Sequence, residues 1–156
     1  MDSSNALLLR MNGNWNEVYQ KIPLFFVYPG IYELINLLND KQVPLCVVTS
    51  SPRSYCLHVL DYWKLDIPFQ ACYHDTVKHK PHPEPILTAI ERIGGRASRV
   101  ISVGDDAMDT AAAKEAGAVS VGALWGSLYR KKLIESNPNK VFDEVGELKT
   151  FLTKYI

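Results

Sequence analysis

Four short apolar, mostly valine-rich runs punctuate this chain: VPLCVVTS (43–50), IPFQACYH (67–74), RVISVG (99–104) and AVSVGAL (118–124). Each is too short for a buried helix, and the β-branched residues suit fully buried strands. The stretches between them have a helical period. Ile31, Leu34, Ile35 and Leu38 share one face of 31–39, and Tyr55, Val59 and Trp63 follow Pro52 at helical spacing. ILTAIERI (86–93) lies between Pro85 and Gly94-Gly95, TAAAKEAG (110–117) closes on Gly117, and further helices are predicted near 128–135 and 145–155. Strands alternating with helices dictate an α/β fold, a parallel sheet with right-handed crossovers and helices on its faces. Such sheets bind ligands beyond the carboxyl ends of their strands.

The bulk properties narrow the class. At 156 residues the chain has the length of about one domain. Seventeen basic residues balance seventeen acidic ones, so neither nucleic acid nor an anionic membrane surface is an expected partner. No apolar stretch approaches the roughly 18 residues of a membrane span. The start, MDSSNALLLRMNGN, lacks the basic region of a signal peptide. Cys46, Cys56 and Cys72 have no metal-type spacing, and an odd count suits reduced thiols. A cytoplasmic domain is expected.

Three segments near strand ends carry polar chemistry. In VISVGDDAMDTAAAKEAGA (100–118), Asp105, Asp106 and Asp109 follow a strand and a glycine. Carboxylates across a tight loop can converge on a hard cation such as Mg2+, which keeps several waters and needs few protein ligands. Equally, Asp106 or Asp109 would serve as a helix cap. In KHKPHPEPI (78–86), three alternating prolines would hold the segment extended, so that Lys80 projects from a stiff loop. It would then suit a phosphate, or stand as an ordinary solvated lysine. His79 and His82 read as surface histidines. In VVTSSPRS (47–54), Thr49 and Ser50 end a strand before a helix start, as an anion site or as a cap.

Taken in order, VVTSS, KPHPEP and VGDDAMDTAAAKEAGA resemble the haloacid dehalogenase (HAD) superfamily, and its phosphoglycolate-phosphatase-like branch in particular. The likeness runs from VYPGIYELINLL (27–38) to VGELKTFL, about residues 27–153. It implies a three-layer Rossmann-like core domain over 28–156, a cap domain absent or vestigial, and an N-terminal segment, 1–27, that is either the tail helix of a cap or a degenerate first strand. It also implies a magnesium-dependent phosphatase acting on a small phosphorylated metabolite. Thr49 and the Ser50 backbone would bind the phosphoryl group, and Lys80 would neutralise it. Asp105 would bind Mg2+, with Asp109 holding a ligand or one of its waters. Asp106 falls at a position that varies in the family.

The family's reaction begins with an aspartate nucleophile in a DxDGT-like stretch ending the first, central strand. Only Asp2 and Asp40 precede VVTSS, and neither follows a strand-like run. Residues 6–15, ALLLRMNGNW, admit two readings. They match a decayed copy of that stretch, with Arg10 for the nucleophile, Asn12 for the acid/base and Gly13 in place. They also form part of a helix, since Leu8, Met11, Trp15, Val18 and Ile22 keep a 3.6-residue period, and this resembles the tail of the family's helical cap. We favour the helix, against which Gly13 counts. Without a first strand, its two neighbours in the sheet need direct pairing, residues 6–10, a second chain or self-association to close the gap. The chain alone is expected to be inactive, or else a non-catalytic phosphate- and Mg2+-binding or regulatory domain.

Overall fold

The computed structural model describes residues 27–156. The order is α1 (Ile31–Asp40), β1 (Cys46–Val48), α2 (Arg53–Tyr62), β2 (Phe69–Ala71), α3 (Glu84–Arg92), β3 (Ile101–Gly104), α4 (Ala107–Glu115), β4 (Val119–Ala123), α5 (Arg130–Glu135), β5 (Lys140–Phe142) and α6 (Val145–Leu152). Short 3-10 turns at Tyr73–Asp75 and Ala97–Arg99 precede α3 and β3. The predicted strand–helix alternation is present. β5 adds a strand that its three-residue length hid from any periodicity argument.

All strand pairs are parallel, as the crossovers require. β1 pairs β2 with Val47 opposite Gln70, β3 pairs β4 with Val103 opposite Val121, and β4 pairs β5 with Gly122 opposite Val141. Alternation along β4 sets the layers. Val121 points into a cluster with Leu34 and Leu38 of α1 and Val145 and Leu148 of α6. Gly122 points the other way, where a side chain would touch Leu133 of α5 at 3.3 Å. That second face continues in Ile86 and Ile90 of α3, Ala112 and Ala116 of α4, and Ala118. The small residues of α4 let it lie close on the sheet; Ala112 and Ala113 are fully buried. Helices thus cover both faces of a parallel sheet, the three-layer α/β arrangement.

Several boundaries differ from the sequence expectation. Strands are shorter than their apolar runs, because only residues with a laddered neighbour count as strand. The helix expected at 110–117 begins three residues earlier, at Ala107, because Asp106 caps it. The proline segment turns instead of extending: the His82 N–H donates to the His79 carbonyl at 2.9 Å, and the Lys80–Pro81 peptide is cis. Glu84 closes this loop, its carboxylate accepting the N–H groups of Val77 and Lys78 at 2.9 and 3.0 Å.

Among the described residues the strands form two sheets, β1-β2 and β3-β4-β5, and β1 does not pair with β3. Direct pairing therefore does not close the gap. Residues 6–15, with both readings of that segment, lie outside the described residues.

Candidate functional site

Lys80 fixes where the strand ends meet. It sits in the loop after β2, and its Nζ lies 2.5 Å from Oδ1 of Asp109, in the first turn after β3. Both side chains are largely buried, at 15% and 14% exposure. The loop after β1 joins the same end, since the Tyr73 N–H donates to the Ser51 carbonyl at 3.0 Å. Lys80 and Asp109 thus meet, with Asp105 and Asp106 on the same acidic loop and Asp105 near enough to feel both charges. Thr49 and Ser50 follow the carboxyl end of β1, on a loop joined to the end of β2.

Local geometry on the acidic loop is tightly constrained. Asp106 is the N-cap of α4: its Oδ1 accepts the Met108 N–H at 2.8 Å. Asp109 reciprocates, Oδ2 accepting the Asp106 N–H at 3.1 Å. The capping reading of these two residues therefore holds, and it coexists with the ion pair because Asp109 uses one oxygen for each role. Gly104 makes room for it. A Cβ there would stand 2.2 Å from the Asp109 Cβ and 2.6 Å from its Oδ2, so only glycine lets the strand end pass beneath the carboxylate.

Asp105 differs from its neighbours. It lies at the exposed mouth of the site and makes no cap. Partial loss of solvation, and then the Asp109 charge, push its carboxyl above the ordinary range, against the pull of Lys80. A carboxylate in that position has unrelieved negative charge, which an added cation would lower. Gly126, in the loop after β4, approaches it closely; a Cβ there would be 3.5 Å from Asp105 Oδ2. The described residues contain no preformed cluster of three metal-ligating side chains. Asp105, Asp106 and Asp109 offer hard oxygen donors, the type Mg2+ takes alongside its own waters.

On the anion side, Thr49 Oγ1 accepts the Ser51 N–H at 3.0 Å, which leaves its hydroxyl proton free to donate outward. Ser50 is exposed beside it, ahead of α2. His79 stacks on Tyr73 with centroids 4.0 Å apart, and His82 Nδ1 accepts the Glu84 N–H at 3.2 Å, so these histidines have local structural partners.

Sequence reasoning missed the support beneath the site. Asp75 accepts from Arg53 at 2.6 Å, Arg92 at 2.9 Å and the Cys72 N–H at 2.6 Å, tying α2, α3 and the end of β2 together. Those hydrogen bonds, led by Arg92, hold its carboxyl far below the usual range. Arg92 also bonds to the Gln70 carbonyl. Nothing in the spacing of these residues announces the triad. Glu84 was hidden in the proline run. The thiols of Cys46 and Cys56 are pushed up to about 11 and about 12 by burial, and all three cysteines are free.

Comparison with known proteins fits this geometry. The model of the haloacid dehalogenase-like hydrolase family matches residues 2–123. Phosphoglycolate phosphatase of Escherichia coli K12 is 30% identical over 125 residues, which are 79% of this chain and 50% of the relative. That of Haemophilus influenzae 86-028NP is 34% identical over 128 residues, 81% of this chain and 57% of the relative. A crystal structure of a "predicted phosphoglycolate phosphatase" from Haemophilus somnus 129PT superposes with a TM-score of 0.78 at 25% identity, covering 87% of this chain and 62% of that one. The chain spans about half the length of the curated relatives it matches. Fold and sequence agree that it belongs to the haloacid dehalogenase-like hydrolase family, on the phosphoglycolate-phosphatase-like branch.

Proposed function

We propose that these 156 residues form the phosphate- and Mg2+-binding part of a phosphomonoester phosphatase, and that alone they bind without efficient turnover. The reading is carried by the 2.5 Å Lys80–Asp109 pair, which joins an ammonium and a carboxylate cluster across 29 positions of sequence at the strand ends. Phosphoryl transfer depends on this mixture of cationic charge and fixed donors around the transferred oxygens. Thr49 and the Ser50 backbone donate to a phosphate, and Lys80 balances its charge. Asp105, with Asp109 and Asp106 behind it, would hold Mg2+, which supplies charge neutralisation to the phosphate oxygens when bound. The donor set fits that ion: oxygen ligands only, and a carboxyl at Asp105 whose charge is otherwise poorly relieved.

Hydrolysis of the family's kind starts from an aspartate on a strand end, and no DxDGT-like stretch occurs in this sequence. A small phosphorylated metabolite is the proposed substrate class, and a cytoplasmic setting suits the three free thiols. With para-nitrophenyl phosphate and Mg2+, the isolated chain should show weak or no turnover. Robust activity that disappears in Asp105→Asn would overturn the proposal and point to an unrecognised nucleophile.

A further inference from the structure

Thr49 is oriented by contacts that run well past the site. Its backbone N–H donates to the Ala71 carbonyl at 2.9 Å, and its Oγ1 accepts the Ser51 N–H at 3.0 Å. The Ser51 carbonyl in turn accepts the Tyr73 N–H at 3.0 Å, and the Cys72 N–H donates to Oδ2 of Asp75 at 2.6 Å. Three consecutive residues thus form one rail. Ala71 and Tyr73 hold the loop after β1, and Cys72 between them is held by Asp75.

Asp75 fixes that rail to both neighbouring helices. The same oxygen accepts from Arg53 at 2.6 Å and Arg92 at 2.9 Å, and both guanidinium groups also reach the Gln70 carbonyl. Arg53 opens α2 and Arg92 closes α3. Only Pro52 separates Arg53 from Ser51, and its ring holds φ at −59°, so the connection to Thr49 is short and stiff. Charge-assisted bonds of this kind are roughly twice as strong as neutral ones. The loop bearing Lys80 has a separate tie, the Glu84 carboxylate on the Val77 and Lys78 N–H groups.

We propose that Asp75 is a positioning residue for the Thr49 hydroxyl, a role that rests on the phosphate reading of Thr49 above. Its carboxylate, through Cys72, Tyr73 and Ser51, keeps one Oγ1 lone pair on the Ser51 N–H, which leaves the hydroxyl proton for the anion. A group that only stiffened the fold would act on the Thr49 and Lys80 arms alike. One that acts through the rail affects Thr49 alone.

Two measurements on the full 156-residue chain test this. Amide hydrogen exchange by NMR needs no ligand. In Asp75→Asn the Ser51 and Tyr73 amides should exchange at least about tenfold faster relative to the Val119 amide, which donates to the Val100 carbonyl in the other sheet. Titration with inorganic phosphate in the presence of Mg2+ reads the donor. Asp75→Asn should weaken phosphate about fivefold in the parent and in Lys80→Gln, but less than about twofold in Thr49→Val, which has no hydroxyl to aim. Arg53→Gln, at a half-exposed side chain, should move both readouts the same way by about threefold, and it decides the matter if Asp75→Asn does not fold. Ser51 and Tyr73 amides that keep pace with Val119 would overturn the proposal. So would a phosphate penalty as large in Thr49→Val as in the parent. A parent that binds no phosphate would instead end the phosphate reading, with the exchange rates still deciding whether Asp75 orients the Thr49 loop.

Discussion

Replacing Gly104 by alanine tests how the acidic loop is built. The new Cβ would stand 2.2 Å from the Cβ and 2.5 Å from the Cγ of Asp109. Ordinary carbon contacts are about 3.5–4.0 Å, so about 1.5 Å of movement is needed. The obstructing Cβ belongs to the first turn of α4 and cannot rotate away; either the helix start or the strand end must shift. Overpacking of this kind costs about 1–3 kcal/mol. The shift also breaks the reciprocal cap between Asp106 and Asp109, worth about 1 kcal/mol. The sum is about 2–4 kcal/mol, or a drop in Tm of about 4–16 °C for a chain of this size. Urea denaturation with an unchanged slope would measure it. A Gly104→Ala protein within about 0.5 kcal/mol of the parent, with its Lys80–Asp109 contact intact, would refute the argument that only glycine fits.

Two further substitutions probe the charges. Asp75→Ala should destabilise the fold by about 2–3 kcal/mol at pH 7, since it strands Arg92 and Arg53 and frees the Cys72 N–H. The Asp75 carboxyl is depressed in the fold, so its contribution is present above the ordinary carboxylate value of about 4 and is lost as pH falls below it; parent and variant should converge in acid denaturation. Lys80→Gln should cost about 1–3 kcal/mol at pH 7 by leaving Asp109 unpaired beside Asp105. Without the Lys80 charge, which pulls against the rise, the Asp105 carboxyl stands higher still, and a raised carboxyl favours the folded state at low pH, so this deficit should shrink as pH approaches about 4; a deficit that grew would contradict the assignment.

The strand ends were the most legible part of the chain. Valine-rich runs and a glycine before GDDAMD located β3, α4 and three carboxylates without any structure. The cap on Asp106 was legible too, but its coexistence with the Lys80 pair was not, because Asp109 divides its two oxygens between partners 3 and 29 positions away. Alternating prolines suggested an extended arm, whereas Glu84 draws the loop closed through two backbone N–H groups, a tertiary effect outside any local rule. β5 was missed because three residues with one fairly buried side chain have no period. The Asp75 triad joins three elements through long arginines, and sequence spacing contains no trace of it.

The proposal tested most directly is that Asp105, with Asp109 and Asp106 behind it, would hold Mg2+ at the strand ends. Thermal unfolding of the 156-residue chain should show a Tm that climbs with Mg2+ concentration in the parent and stays flat in Asp105→Asn, with the parental response fading as pH is lowered into the raised titration range of Asp105. A Tm independent of Mg2+ in the parent, or a rise equally large in Asp105→Asn, would contradict the account.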